Sequence, residues 1–293
     1  MNKLIDLVGN TPLVELKRLN GNPNVRVLAK LEGNNPGGSV KDRAALNMIN
    51  MALQRGEINE KSKLIEATSG NTGIALAMMA NVYGLTIELV LPSNSTEERK
   101  QSMSAFGAKV ILKDTIEECR DFATYKVRNE KYYMLDQFSN PDNFMAHYKH
   151  TGPEIWRDTL GEITHFVSSM GTTGTIMGTS LFLKEKNSQV TIIGCQPTEG
   201  SSIPGIRRWS QEYVPAIYNP SRVDKIIDVS TEQAIKMTRK LARDEAVFCG
   251  MSSGGAAHVA LQLASQLNEG TIVFICCDRG DRYLSSGLFD GDF

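Results

Sequence analysis

Residues 64–91 read LIEATSGNTGIALAMMANVYGLTIELVL. In this stretch the β-rich run Leu64–Ala67 leads through a glycine- and hydroxyl-rich turn into a helical pattern over 74–83, and a second β-rich run, Ile87–Leu91, follows Gly84. Short runs that are apolar on both faces are typical of parallel strands covered by helices. The stretch therefore predicts a β-α-β unit with a right-handed crossover.

The same alternation continues along the chain. A helical pattern covers 40–55, and the further strand candidates are Val25–Leu31, Val110–Leu112, Phe166–Ser168, Thr191–Cys195 and Thr271–Cys276. This order predicts an α/β fold with parallel or mixed sheets covered by helices. Ligands of such sheets bind where strands end and helices begin, so those junctions are where a site is expected.

Composition narrows the class of protein. The 293 residues carry 32 Lys+Arg and 33 Asp+Glu, and this near-neutral balance argues against a bulk electrostatic hold on nucleic acid or anionic membranes. The beginning, MNKLIDLVGNTPL, lacks the long apolar segment of a signal peptide, and the most apolar internal stretch is interrupted by polar residues, so no membrane span is expected. Five cysteines without a CxxC pair favour a reduced, cytoplasmic protein.

Four junctions are rich in Gly, Ser and Thr and open a helical segment. They are 35–39 (NPGGS), 68–73 (TSGNTG), 171–175 (GTTGT) and 250–255 (GMSSGG). Glycine lets backbone N–H groups approach a ligand closely, and a helix N-terminus favours negative charge. The four together favour a small polyanionic ligand, with turn geometry alone as the alternative.

Lys41 lies in the first of these junctions. Ser39 is a candidate N-cap and Asp42 completes a pattern like a capping box, which places Lys41 in the first helical turn. A cation is disfavoured there, so the position should lower the pKa of the amine, as Schiff-base chemistry requires. The alternative is an ordinary solvated surface lysine.

The other junctions offer further groups. The backbone and hydroxyls of 68–73 suit a carboxylate, with Asn71 able to reach a ring oxygen, although a capped turn explains the same residues. The segment 171–175 suits a phosphate monoester without forming a P-loop, because no Lys follows in the required order. The pair His147 and His150 lacks a further ligand nearby in sequence, so no metal site is expected.

Longer motifs carry a family resemblance. The segment 32–43 (EGNNPGGSVKDR) resembles the lysine-bearing motif of the cysteine synthase family, and 68–73, 137–141 (QFSNP) and 171–175 match further motifs of that family in the same order. The resemblance runs from Gly9 to Ser285, nearly the whole chain.

The resemblance implies a two-domain, fold-type II pyridoxal-phosphate (PLP) enzyme, similar to the tryptophan synthase β subunit. It implies a large PLP-binding domain, 1–35 plus 146–293, and a small mobile domain, 36–145, that closes on the substrate. A homodimer is also implied, with small molecules as the only further partners.

The site residues implied by the resemblance fall into two groups. Those holding PLP would be Lys41, which carries the cofactor covalently and is the catalytic residue, Asn71 at the ring hydroxyl, Gly171, Thr172, Thr173, Gly174 and Thr175 at the phosphate, and Ser252 at the pyridine nitrogen. Those binding substrate would be Thr68, Ser69, Gly70, Thr72, Gln137, Arg207, Cys277 and Asp278.

The implied reaction is β-replacement on O-acetyl-L-serine through an α-aminoacrylate intermediate, giving L-cysteine and acetate. Three segments resemble the B-type branch of the family, 171–175, 203–209 (IPGIRRW) and 277–282 (CDRGDR), which implies that thiosulfate can replace sulfide and give S-sulfocysteine. Arg207 would then supply positive charge to the cleft. The alternatives are a hydroxy-amino-acid dehydratase on the same cofactor and a non-catalytic phosphate-binding sensor.

Overall fold

A computed structural model describes residues 3–68 and 70–290. The strands of this part of the chain are β1 Leu13–Glu15, β2 Val25–Leu31, β3 Lys63–Ala67, β4 Thr86–Pro92, β5 Lys109–Lys113, β6 Tyr132–Tyr133, β7 His165–Ser169, β8 Thr191–Pro197, β9 Lys225–Val229 and β10 Gly270–Cys276. The α-helices are α1 Lys41–Gln54, α2 Asn71–Val82, α3 Glu97–Ala105, α4 Ile116–Asn129, α5 Pro141–Ala146, α6 Gly152–Asp158, α7 Gly174–Lys186, α8 Thr231–Glu245 and α9 Met251–Ala264.

The strands form two sheets. One has six strands in the order β1-β2-β10-β7-β8-β9, in which only β1 runs antiparallel to its neighbour. The other has four parallel strands in the order β5-β4-β3-β6. The predicted α/β class with parallel and mixed sheets is confirmed, and so is the two-domain architecture, because each sheet has its own covering helices.

The β-α-β unit predicted over 64–91 is present as β3, α2 and β4. Strands β3 and β4 pair in parallel from Lys63 and Thr86 onward. Helix α2 is apolar on nearly every side, and accordingly nine of its residues are buried between the sheet and α1. The opposite face of the same sheet is covered by α4, through Cys119 and Ala123.

Helices also cover both faces of the six-stranded sheet. Apolar residues of α8 and α9 pack with Val27, Val167 and Phe274 on one face. On the other face, residues of α6 and α7 pack with Phe166 and Val273. Alternate residues of each strand thus enter different cores, which explains why the strand runs are continuously apolar.

Two of the predicted glycine-rich junctions directly follow strands: 68–73 runs from the end of β3 into α2, and 171–175 runs from the end of β7 into α7. The junction 35–39 lies between β2 and α1, whereas 250–255 follows helix α8 and opens α9. Among the described residues, no helix combines the length and the apolar character needed to cross a bilayer.

Candidate active site

Lys41 is the first residue of α1 and lies against the end of β10. The turn before it is joined to that strand end by a bond from the Val40 N–H to the Cys277 carbonyl (2.8 Å) and by an antiparallel bridge between Ser39 and Asp278. Partial burial in this corner lowers the pKa of the Lys41 amine, and the neighbouring Cys277 and Asp278 oppose the shift. Desolvation therefore makes the amine easier to deprotonate.

The predicted capping box does not form. The Ser39 hydroxyl accepts a bond from the Lys41 N–H (3.3 Å), but the Asp42 carboxylate reaches back to the Gly37 N–H instead (2.5 Å). Burial raises the pKa of Asp42 to about 7. The second residue of α1, Asp42, therefore bonds the turn before the helix, because its buried carboxylate needs a donor and the Gly37 N–H provides one.

The second junction brings two predicted substrate residues together. The Thr72 hydroxyl donates to Gln137 Oε1 at 2.6 Å, although the two residues are 65 positions apart. Thr68 is buried, and its hydroxyl accepts from the Gly70 N–H (3.3 Å) at the start of α2. Ser69, which was predicted with this group, lies outside the described residues.

The third junction places its glycines and hydroxyls at the N-terminus of α7. Thr173 adopts a left-handed backbone (φ +69°) immediately before the helix, and its buried hydroxyl has no protein partner among the described residues. Thr172 accepts from the Gly174 N–H and from the Asn143 amide. The Thr175 hydroxyl lies 3.4 Å from His147 Nε2.

Ser252 lies in the first turn of α9 and is buried. Its carbonyl accepts from the Ser169 hydroxyl (2.7 Å) at the end of β7, and its side chain contacts the Cys277 thiol. A Cβ added to Gly205 would lie 3.7 Å from Ser252 Oγ, so the 203–209 segment passes beside this serine.

The three residues predicted to line the sulfur-donor cleft have different environments. Arg207 is exposed, and its guanidinium lies 5.8 Å from the centre of the Trp209 ring. Its backbone N–H donates to the Met170 carbonyl, just before residues 171–175, which we call the phosphate-type turn. Burial raises the pKa of the Cys277 thiol to about 12, which keeps it neutral. Asp278 is buried, and its Oδ2 accepts from Asn71 Nδ2 (2.6 Å) and from the Tyr283 hydroxyl (2.6 Å).

Four residues of the site were not found from the sequence. Asn143 and His147 contact the hydroxyls of the phosphate-type turn, Trp209 donates to the Gly171 carbonyl (2.8 Å), and the Arg282 guanidinium donates to Asn71 Oδ1 and to the Gly37 carbonyl. Each comes from a segment far from the junction it supports, so no local pattern marks it.

These groups fit PLP. The Lys41 amine has a lowered pKa, and the N-terminus of α7 lies beside the Thr173 hydroxyl, which has no protein partner among the described residues, as suits a phosphate. Asn71 and Ser252 add hydrogen-bonding groups for a heterocycle. Every part of the cofactor that needs a partner thus has one among the described residues.

The fold and this site define the class of protein. The sequence profile of the family described as pyridoxal-phosphate dependent enzyme matches residues 4–278. The chain is 57% identical to cysteine synthase B of Pseudomonas aeruginosa, covering 98% of this chain and 97% of that one. Identity to cysteine synthase A of Escherichia coli is 38%, over 96% and 93% of the two chains.

Solved structures agree. O-acetyl serine sulfhydrylase isoform 3 of Entamoeba histolytica superposes with a TM-score of 0.94 at 37% identity, covering 100% of this chain and 92% of that one. The chain therefore belongs to the cysteine synthase family of PLP-dependent enzymes. Its similarity to the B-type sequence exceeds that to the A-type sequence.

Proposed function

We propose that this enzyme replaces the acetoxy group of O-acetyl-L-serine with sulfide, giving L-cysteine and acetate, and that thiosulfate also serves as donor and gives S-sulfocysteine. The observation that carries the proposal is that Asp278 connects two groups: it neighbours the Lys41 amine, whose pKa is lowered, and it accepts from Asn71, the residue before Thr72 of the buried Thr72–Gln137 pair. A reactive amine beside carboxylate-binding groups is what chemistry on an amino acid needs.

PLP, when bound, supplies the electron-withdrawing ring that makes the substrate Cα acidic. Lys41 would hold the cofactor, and its Nζ would take the proton from the substrate Cα. That step needs a neutral amine, and partial burial favours the neutral form. The same Nζ is then placed to return a proton after the sulfur nucleophile has added to Cβ.

Three groups orient the cofactor in this proposal. Residues 171–175, at the α7 terminus, hold the phosphate; Asn71 bonds the ring oxygen; and Ser252 faces the pyridine nitrogen. A serine hydroxyl is neutral and leaves that nitrogen largely unprotonated, which favours rapid loss of a leaving group from Cβ over transamination.

The substrate carboxylate binds to Thr68, Ser69, Gly70, Thr72 and Gln137. This binding draws the small domain, residues 36–145, towards the large domain, 1–35 plus 146–293, and excludes water from the reacting centre. The position of α2 supports this step. The helix follows β3 of the four-stranded sheet, and its first residue, Asn71, bonds Asp278 of the other domain.

The sulfur donor enters past Arg207, Cys277 and Asp278. The exposed Arg207 guanidinium supplies positive charge for an anionic donor. The Cys277 thiol, whose pKa is about 12, adds a neutral polar group to the path.

Steady-state assays test the proposal. Purified holoenzyme is incubated with O-acetylserine and either sulfide or thiosulfate, and L-cysteine, S-sulfocysteine and acetate are quantified. Both products should form with the wild type and neither with Lys41→Ala. Release of a keto acid from threonine, without product from O-acetylserine, would favour the dehydratase alternative.

We also propose that the enzyme is a cytoplasmic homodimer. The location is supported by five unpaired cysteines in the described part of the chain, four of them buried, which suit a reducing compartment. The dimer is supported by the family resemblance alone, and sedimentation equilibrium of the holoenzyme measures it.

A further inference from the structure

The side-chain amide of Asn71 is held at both ends by residues of the C-terminal segment. Its Nδ2 donates to Asp278 Oδ2 at 2.6 Å, and its Oδ1 accepts from the Arg282 guanidinium. We infer that Arg282 is a positioning residue that fixes the orientation of this amide so that Asn71 donates to the ring oxygen of the cofactor. The inference rests on the proposed function, which places Asn71 at that oxygen.

Orientation matters because an amide can present either an acceptor or two donors to a ligand. A guanidinium has donors only, so it can face only Oδ1. The Asp278 carboxylate can accept one N–H from Nδ2, and the second N–H then remains for the cofactor oxygen. In the flipped orientation Oδ1 would face the carboxylate, and the cofactor oxygen would lose its donor.

Arg282 is itself anchored to the turn that carries the lysine. Its second terminal nitrogen donates to the Gly37 carbonyl, and the Gly37 N–H is bonded to Asp42 at 2.5 Å. A Cβ added to Gly38, whose φ is +79°, would lie 2.7 Å from Arg282 Nη2. One guanidinium therefore touches both the Asn71 amide and the turn before Lys41, which gives it a fixed geometry relative to the two groups.

The contrasting possibility is that Arg282 only ties the C-terminal segment Gly280–Ser286 to the four-stranded domain. A tie of that kind would act on stability whether or not residue 71 is an asparagine. A positioning role acts through the amide and disappears when the amide is removed. Thermodynamic coupling between positions 282 and 71 separates the two.

The experiment compares Arg282→Met in the wild-type and Asn71→Ala backgrounds, each reconstituted with PLP. The readouts are the visible absorption band of the bound cofactor, its change with pH, and the Kd for PLP. In the wild-type background we expect a displaced band and roughly tenfold weaker PLP binding, since a hydrogen bond to an ionised group is lost. In the Asn71→Ala background the same substitution should change neither.

Equal changes in both backgrounds, or no change in either, would overturn the inference. Arg282→Lys is the second variant: it keeps the charge but cannot make both bonds at once, so the band should be displaced less than in Arg282→Met. If Arg282→Met does not fold, Arg282→Lys replaces it, and its effects in the wild-type and Asn71→Ala backgrounds are compared in the same way.

Arg279→Met is the matched control, because Arg279 is exposed and its one ion pair within residues 3–68 and 70–290 is with its neighbour Asp281 (2.8 Å). It should leave the band and the Kd unchanged. Failure of the proposed function would look different, since the wild type itself would then show no visible band with PLP or make no product from O-acetylserine.

Discussion

At the residue scale, Arg207 and Arg208 are neighbours in sequence with different contacts. The Arg208 guanidinium is bonded to the Pro197 carbonyl (3.0 Å) and to Asp228, whereas Arg207 lies over Trp209 without an ion pair to any described carboxylate. Arg207→Ala should therefore raise KM for thiosulfate roughly tenfold and KM for sulfide much less, because only the larger oxyanion uses a guanidinium's forked donors. Steady-state assays with both donors measure this, and Arg208→Ala should leave the ratio of the two constants unchanged. An equal rise in KM for thiosulfate and for sulfide would show that Arg207 does not discriminate between the two donors.

Glu66 is a buried carboxyl whose oxygens accept from the backbone N–H groups of Asp136 (3.1 Å) and Gln137 (3.4 Å). Burial raises its pKa from 4.5 to about 8, so the native state holds a proton that the unfolded state has already lost between these values. Stability from this group is complete below about pH 4.5 and is lost as the pH rises through about 8. Urea unfolding at pH 5 and pH 9 measures this. Between the two pH values, the free energy of unfolding of Glu66→Gln should rise relative to that of the wild type by roughly 2–4 kcal/mol. A pH-independent difference would show that Glu66 does not titrate in this range.

The candidate site residues that the sequence predicts share one property: they lie in a local pattern. Lys41 and the turn 171–175 stand in glycine-rich segments at strand ends, and the structure places them at the sheet edge. Arg282 and Trp209 act through long side chains that reach other segments, so their role depends on tertiary packing alone. The capping box predicted for Ser39 and Asp42 was wrong for the same reason. The Asp42 carboxylate accepts from the Gly37 N–H because both are buried together, which the sequence spacing does not show.

At the scale of elements, α1 is fixed to the six-stranded domain by buried charges. Arg43, in the first turn of α1, pairs with Glu32 (2.6 Å) and Glu154 (2.7 Å), and Glu154 also accepts from the buried Lys30 (2.8 Å). Arg43→Leu leaves the buried Glu32 without its cationic partner and Glu154 with Lys30 alone, so we expect a loss of roughly 3–5 kcal/mol in the free energy of unfolding. Urea denaturation measures it. Arg26→Leu, which removes an exposed pair with Glu162 (3.3 Å), should cost about 1 kcal/mol or less, and similar costs for both variants would contradict the argument.

Secondary structure was predictable where strands are apolar on both faces. All seven predicted strands are present, and the helix expected over 74–83 lies within Asn71–Val82 apart from its last residue. The strands that were missed are the short β1 and β6 and the strand β9, Lys225–Val229, which lies at the sheet edge with Ile226 45% exposed. Edge strands carry charged residues and little burial, so their hydrophobic pattern is weak.

At the scale of the whole molecule, α3 of the four-stranded domain contacts the C-terminal segment through Glu98 and through Arg99, whose guanidinium lies 5.3 Å from the centre of the Tyr283 ring. Glu98 accepts from the Ser285 N–H (2.9 Å) and hydroxyl (2.6 Å). If residues 36–145 move as a body, this contact restrains the motion. Glu98→Ala should therefore speed amide exchange of Ser285 and its neighbours roughly tenfold, the effect expected for losing bonds to a carboxylate, and raise KM for O-acetylserine without lowering kcat.

Hydrogen exchange followed by mass spectrometry measures this effect, with Glu97→Ala as the matched control. Glu97 precedes Glu98 in the same helix turn but is exposed and lies 3.9 Å from Lys100. Unchanged exchange over Gly280–Ser286 in Glu98→Ala would mean that the two domains are held by other contacts. The bonds from Arg282 and Asp278 to Asn71 would then be the first to examine, since they also cross between the domains. Faster exchange in Glu98→Ala but not in Glu97→Ala would instead indicate that the C-terminal segment takes part in domain closure. Arg282, which bonds Asn71, and Ser285, which bonds Glu98 of α3, lie in the same short helix, Gly280–Ser286, so a movement of α3 would also reach Asn71.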